Sequence, residues 1–107
     1  MFTSKIKSAA TRVGAAVTFV RSAEAALAEM RKTPPALVIL DLNNLRADPL
    51  GLVGSMKQDP ALASIPTVGY VSHVQTDLIE RARQAGVGEV LARSAFSERV
   101  ADILSRR

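Results

Sequence analysis

Residues 36–44 read ALVILDLNN, an apolar stretch that ends at an aspartate. The stretch from 36 to 40 shows no alternation of apolar and polar side chains, which is typical of a strand covered by helices on both faces. Asp41 would stand at the downstream end of this strand, and the downstream ends of parallel strands form the edge at which α/β proteins bind ligands. The stretch therefore predicts a buried parallel strand with a carboxylate at that edge.

The rest of the chain alternates between helical and strand patterns. We predict helices over 2–13 and 23–32, after Asp48-Pro49, over 76–85 and after Ser97, and strands over 15–20, 36–41, 67–71 and 87–92. Ser22 and Asp48 are typical N-caps, and Gly14 and Gly86 stand where helices stop. Strands separated by helices imply right-handed crossovers and a parallel sheet. We therefore expect one α/β domain over residues 1–107, with four strands.

The composition narrows the class of protein. With 48% hydrophobic and 22% charged residues the chain is typical of a folded globular domain, and its length suits one domain. It contains no cysteine, which excludes disulfides, thiolate metal sites and cysteine nucleophiles. No stretch approaches the roughly 20 apolar residues of a membrane span, and the N-terminus lacks a signal-peptide core. We expect a cytoplasmic protein without membrane association.

The positive charge raises the question of nucleic acid binding. The formal net charge is +4 and the pI is about 10.1. The 14 basic residues are spread along the chain and occur at most in pairs such as Arg31-Lys32, which is typical of a solvated surface. One tyrosine and no tryptophan leave little aromatic surface for stacking bases. Nucleic acid is therefore the less favoured partner.

Three further motifs make the pattern that of a known family. LGLVGSMKQDP (50–60) follows the strand at Asp41, SIPTVGYVSHV (64–74) contains an Ile-Pro before a strand, and RARQAGVGEVLARSAF (81–96) combines an Ala-Gly turn, a strand and a basic residue. Together with ALVILDLNN they resemble the receiver (CheY-like) domain of two-component response regulators. The resemblance covers residues 2–105. It implies a flavodoxin-like parallel sheet sandwiched by helices, here lacking the family's first strand.

The resemblance also implies a site. Asp41 matches the aspartate that accepts a phosphoryl group from a histidine kinase with the help of Mg²⁺, and the Asn43 carbonyl matches a metal ligand. Arg93 falls on the position of a lysine beside that site, and Ser72 lies one place after the position of a hydroxyl residue. His73, which follows the strand over 67–71, would lie at the same edge of the sheet as Asp41. Beyond Asp41 and Asn43 we expect no metal site, and we expect no cofactor apart from Mg²⁺ if the phosphoryl transfer occurs.

This chain departs from the family pattern around Asp41. The acidic pair at the end of the first strand is missing with that strand. Val71 replaces the hydroxyl residue that closes the family's fourth strand, with Ser72 one place later, and Arg93 replaces a lysine. Arginine keeps the charge without the compact ammonium group. We therefore predict a pseudo-receiver: a signalling module that is not an enzyme, transfers phosphoryl groups poorly and acts through contacts with a kinase or an output protein.

Simpler interpretations stand beside the site residues. Asp41 could be a strand-end polar group bonded to the next turn or to Arg93, and the Asn43-Asn44 pair is typical of a turn. His73 is the only histidine in the sequence; it could exchange protons near neutral pH, although such residues are more often surface loop groups. Asp48 is more readily a helix cap than a metal ligand.

Two functional alternatives remain. The first is a phospho-accepting receiver, with Asp41 as acceptor, whose first strand and acidic pair lie upstream of Met1. The second, of another class, is a basic α/β domain associated with nucleic acid.

The missing strand raises a structural question with three possible answers. The strand over 15–20 closes up against that over 36–41, a second chain completes the sheet, or the helix over 2–13 is displaced. Because open strand edges favour association, we predict a homodimer.

Overall fold

The computed structural model describes residues 2–20, 22–44, 47–72 and 76–105. Helices and strands alternate through most of this range. In chain order they are α1 (Phe2–Val13), α2 (Ala23–Lys32), β1 (Val38–Asp41), α3 (Pro49–Gln58), β2 (Thr67–Val71), α4 (Thr76–Ala85), β3 (Glu89–Ala92) and α5 (Arg93–Leu104). The predicted helices over 2–13, 23–32 and 76–85 are confirmed.

The strands form one parallel sheet in the order β1-β2-β3. Asp41 of β1 is in register with Tyr70 of β2, and Tyr70 is in register with Leu91 of β3. All five residues of β2 are buried, as expected for the strand between two neighbours. The α/β class and the parallel sheet are therefore confirmed.

Two apolar clusters cover the two faces of the sheet. On one face α1 packs against α5. The cluster there consists of Ile6, Ala9, Val68, Tyr70, Phe96, Val100 and Ile103. On the other face α2 packs against α3, and α3 against α4. The largest fully buried side chains of the cluster on this second face include Leu42, Met56 and Leu62. The sheet therefore lies between two helical layers, as a flavodoxin-like sandwich requires.

The predicted helix boundaries follow local chemistry. The Ser22 hydroxyl oxygen accepts a hydrogen bond from the Ala25 N–H (3.1 Å), and the Asp48 carboxylate accepts one from the Gly51 N–H (3.3 Å). Both bonds satisfy donors that a helix start leaves unpaired. Gly14 and Gly86 have φ angles of +72° and +107°, where a side chain would be strained. Both predicted caps and both glycine stops are confirmed.

A close approach in the middle of the sheet requires a glycine. Leu42, directly after β1, is fully buried, and a Cβ atom built on Gly69 of β2 would lie 2.8 Å from the Leu42 Cδ1. Leu42 therefore occupies the space above the sheet that a side chain at position 69 would need.

The predicted strand over 15–20 is wrong. These residues form no helix or strand, and the sheet has three strands in the described part of the chain. The Ala15 N–H donates to the carbonyl of Ala10 in α1 (2.9 Å), Val17 packs at the edge of the α1–α5 cluster, and Phe19 and Val20 are exposed. AAVTFV has strand-forming residues, but strand propensity is expressed only where a neighbouring strand offers pairing. The segment has not closed up against β1.

Three predicted boundaries are also wrong. Helix α5 begins at Arg93 and not after Ser97, because β3 runs straight into it and Ala92 occupies the N-cap position without a side-chain cap. The strands begin later than predicted, at Val38 and Glu89 instead of residues 36 and 87. Before β3, the Gly88 N–H donates to the Thr67 hydroxyl oxygen (2.8 Å).

Candidate functional site

Asp41 is the last residue of β1, and its side chain is held by the turn that follows. Its Oδ1 accepts a hydrogen bond from the Asn43 N–H (3.1 Å), and its backbone carbonyl accepts one from the Asn44 N–H (3.1 Å). This is the geometry in which an aspartate stabilises a turn of its own backbone. Asp41 is exposed, so its carboxylate reaches solvent at the carboxyl edge of the sheet.

Asn43 connects the ends of two strands. Its side-chain Oδ1 accepts a hydrogen bond from the Ser72 N–H at 2.6 Å, directly after β2. Asp41, Asn43 and Ser72 therefore form a continuous hydrogen-bonded chain across the ends of β1 and β2. The predicted turn at Asn43 is present, and its side chain adds a long-range bond.

Tyr70 belongs to this site and was missed by sequence reasoning. It lies beside Asp41 across the sheet, it is buried, and its ring stacks on Phe96 with the centroids 4.9 Å apart. The pKa of the Tyr70 hydroxyl is raised to about 12, mainly by burial and also by the negative charge of Asp41, while the positive charge of Arg93 opposes both. The signal in the sequence was the single tyrosine of the chain, placed near the end of the predicted strand TVGYV, because a buried tyrosine hydroxyl usually has a polar partner.

Arg93 lies on the other side of Tyr70. It is the first residue of α5, it is exposed, and its guanidinium is close enough to lower the pKa of Tyr70. The structure therefore brings Asp41, Asn43, Ser72 and Arg93 to the carboxyl edge of the sheet, around Tyr70. His73, the remaining predicted site residue, lies outside the described residues.

The described residues offer few carboxylates that could hold a metal ion at this edge of the sheet. Across residues 2–20, 22–44, 47–72 and 76–105, no group of three or more His, Cys, Asp or Glu side chains is placed to hold a metal ion. The Asp48 carboxylate is engaged by the Gly51 N–H at the start of α3. Asp41 and the Asn43 carbonyl are the positions that the resemblance assigns to Mg²⁺.

Comparison with solved structures identifies the fold. The phosphorylated cyanobacterial phytochrome response regulator RcpA superposes with a TM-score of 0.77 and 26% sequence identity, over 94% of this chain and 79% of that chain. The NtrX receiver domain from Brucella abortus superposes with a TM-score of 0.78 at 21% identity, over 94% and 84%. The Mn²⁺-bound response regulator Rcp1 gives a TM-score of 0.73 at 21% identity, with the same coverage.

The neighbours agree in kind, since all three are response regulators or receiver domains. The chain therefore has the fold of a CheY-like response regulator receiver domain, and the resemblance carried by its motifs is confirmed. No protein-family model and no curated protein matches the sequence. The described helices include none that is both long and apolar enough to cross a membrane.

Proposed function

We propose that this protein is a receiver-like module of two-component signalling that acts through protein contacts and accepts phosphoryl groups poorly. Its partner would be a histidine kinase or an output protein, as for response regulators in general. The carboxyl edge of the sheet, where Asp41 lies, is the part of the domain that such a partner would contact.

The observation that carries the proposal is the position of Val71. The resemblance requires a hydroxyl at the end of β2 to bind a phosphoryl oxygen, and Val71 is instead fully buried in the apolar cluster beneath α2, α3 and α4. Ser72, the next hydroxyl, has its backbone N–H bonded to Asn43. At the position where the family has a hydroxyl donor for the phosphoryl group, this chain therefore has the apolar side chain of Val71.

The charges around Asp41 support the same proposal. A carboxylate and a phosphate repel each other, so phosphoryl transfer depends on cations that neutralise both. Mg²⁺ prefers oxygen ligands, and the Asp48 carboxylate already accepts a hydrogen bond at the start of α3. Arg93 supplies positive charge, but its planar guanidinium is not equivalent to the ammonium of the family's lysine.

The test is phosphorylation by a small donor. We expect that incubation with acetyl phosphate and Mg²⁺ leaves nearly all of the protein at its original intact mass. The paired substitution Val71→Thr with Arg93→Lys restores two of the missing side chains of the family pattern, the hydroxyl and the ammonium, so it should raise the phosphorylated fraction. Arg93→Lys alone, which keeps the fully buried Val71, is the matched control, because valine has the shape of threonine without the hydroxyl.

The phospho-accepting alternative predicts the opposite result. A large fraction of wild-type protein carrying one phosphoryl group, lost in Asp41→Asn, would overturn the proposal in favour of an active receiver. A nucleic-acid function is tested by a different experiment, because it predicts binding to DNA or RNA that weakens steeply as salt is added.

A further inference from the structure

One edge of β1 has no neighbour within the described residues. The N–H groups of Val38 and Leu42 donate to the carbonyls of Pro66 and Tyr70 in the direction of β2 (both 3.0 Å). Because backbone groups alternate along a strand, the N–H groups of Ile39 and Asp41 point to the opposite side. β1 therefore presents a row of donors and acceptors on its outer edge.

The side chains of β1 are those of an interior strand. Val38, Ile39 and Leu40 carry no charge, and they contribute to both apolar clusters of the sheet. Edge strands usually carry charged or proline residues that prevent pairing with another chain. An uncharged apolar edge is instead a template for a further strand.

The same chain carries a segment suited to that edge. Residues 15–20 (AAVTFV) are rich in β-branched and apolar side chains and belong to no helix or strand. Phe19 and Val20 are 41% and 43% exposed, the two large apolar side chains that stand out on the surface of the described residues. The segment lies along α1 in one copy, where the Ala15 N–H is bonded to Ala10, Val17 packs on the α1–α5 cluster and Lys7 lies 5.7 Å from the centre of the Phe19 ring, so pairing with another strand would require it to turn outward after Ala15.

We propose that residues 15–20 of one copy pair with the outer edge of β1 in a second copy. Each copy holds one such segment and one such edge, so a reciprocal exchange satisfies both and closes as a two-fold dimer. The pairing would supply partners to Ile39 and Asp41 and cover Phe19 and Val20. A second copy is favoured as the occupant because this chain alone supplies both complementary surfaces.

The net charge gives the association a recognisable salt dependence. Each copy carries a formal charge of +4, so the two copies repel one another. Salt screens this repulsion and should strengthen the dimer. Binding to nucleic acid responds to salt in the opposite direction.

Association is measured by light scattering behind a sizing column at increasing protein concentration, together with amide hydrogen exchange. We expect the mass to rise from 11.4 kDa towards twice that value. The Ile39 amide should exchange more slowly as the mass rises, while the Leu40 amide, directed towards β2, stays protected throughout. A mass of 11.4 kDa at every concentration would overturn the proposal.

Two proline substitutions identify the pairing segment. Adjacent N–H groups point to opposite sides of a strand, so either Thr18→Pro or Phe19→Pro removes a donor that faces β1 of the other copy. At least one of the two should remain a monomer where the wild type is a dimer, and Thr18→Val, the matched control, should dimerise. A dimer that survives both prolines overturns the proposal. Ile39 protection that is independent of concentration also overturns it, because it indicates pairing within one copy.

Discussion

The two edges of the sheet are built differently. At β3, Glu89 forms an ion pair with Arg99 of α5 (3.4 Å), and both α4 and α5 pack against the strand. At β1 the residues before Asp41 are uncharged, and the helices that precede it in the chain pack on other helices, α1 on α5 and α2 on α3. β3 therefore has a charged side chain and packed helices, which protect an edge strand from pairing with another chain. β1 has the apolar composition of a strand with a neighbour on each side.

The largest expected effect is a difference in the free energy of unfolding that is lost when an apolar side chain is truncated near each of the two edges. Phe96 of α5 is completely buried, so Phe96→Ala should lower the free energy of unfolding by about 3–5 kcal/mol. Ile39 of β1 is only partly buried, so Ile39→Ala should cost less, about 1–2 kcal/mol. Urea unfolding at a protein concentration that keeps the chain monomeric measures both. Equal losses would mean that the β1 edge is packed as firmly as the α5 side.

An intermediate effect uses Tyr70 as a probe between the edges. The pKa of Tyr70 is about 12. Asp41→Asn removes a negative charge from the β1 side and should lower it, and Arg93→Gln removes a positive charge from the β3 side and should raise it. Tyr70 is the only tyrosine, so phenolate absorbance in an alkaline titration reports this site alone. Shifts in the same direction for both variants would contradict the arrangement.

The same titration has a consequence for stability. The folded pKa of Tyr70 lies above its unfolded value of 10.0, so the folded protein retains a proton that the unfolded chain has lost. The resulting stabilisation is fully present below pH 10 and is lost as the pH rises towards about 12. Tyr70→Phe should therefore show a smaller loss of stability over this interval than the wild type, measured by urea unfolding at each pH.

The smallest expected effect concerns the ion pair at the β3 edge. The side chains of Glu89 and Arg99 are 32% and 45% exposed, so solvent screens their attraction. Glu89→Ala should change the free energy of unfolding by about 0–1 kcal/mol. A double-mutant cycle with Arg99→Ala isolates the pair. A coupling above that range would show that the pair stabilises the edge as well as discouraging other strands from pairing there.

The parts of the fold that follow from local chemistry could be predicted. The Ser22 and Asp48 caps, the Gly14 and Gly86 stops and the buried strand at 67–71 each depend on residues close in sequence. The segment over 15–20 could not be predicted, because its conformation depends on whether another strand lies beside it. The start of α5 at Arg93 follows from the direct passage of β3 into the helix, whereas the sequence has a better cap at Ser97.

The candidate site was predictable in its positions but not in its bonds. The resemblance placed Asp41, Asn43, Ser72 and Arg93 at one edge of the sheet, and the structure brings them there. The hydrogen bond from the Ser72 N–H to the Asn43 side chain joins residues 29 apart in sequence. Neither segment, read by itself, indicates that the two residues are bonded. Tyr70 was missed because its importance comes from the charges of Asp41 and Arg93 on either side of it.

The contact between Gly69 and Leu42 places a limit on how this sequence can diverge. The two positions share one volume above the middle of the sheet, since a Cβ atom at 69 would reach the Leu42 side chain. Two substitutions that are each harmful alone can be neutral together when they exchange volume. Among homologues, a larger residue at position 69 should therefore be inherited with a smaller one at position 42, and the pair should covary as a unit.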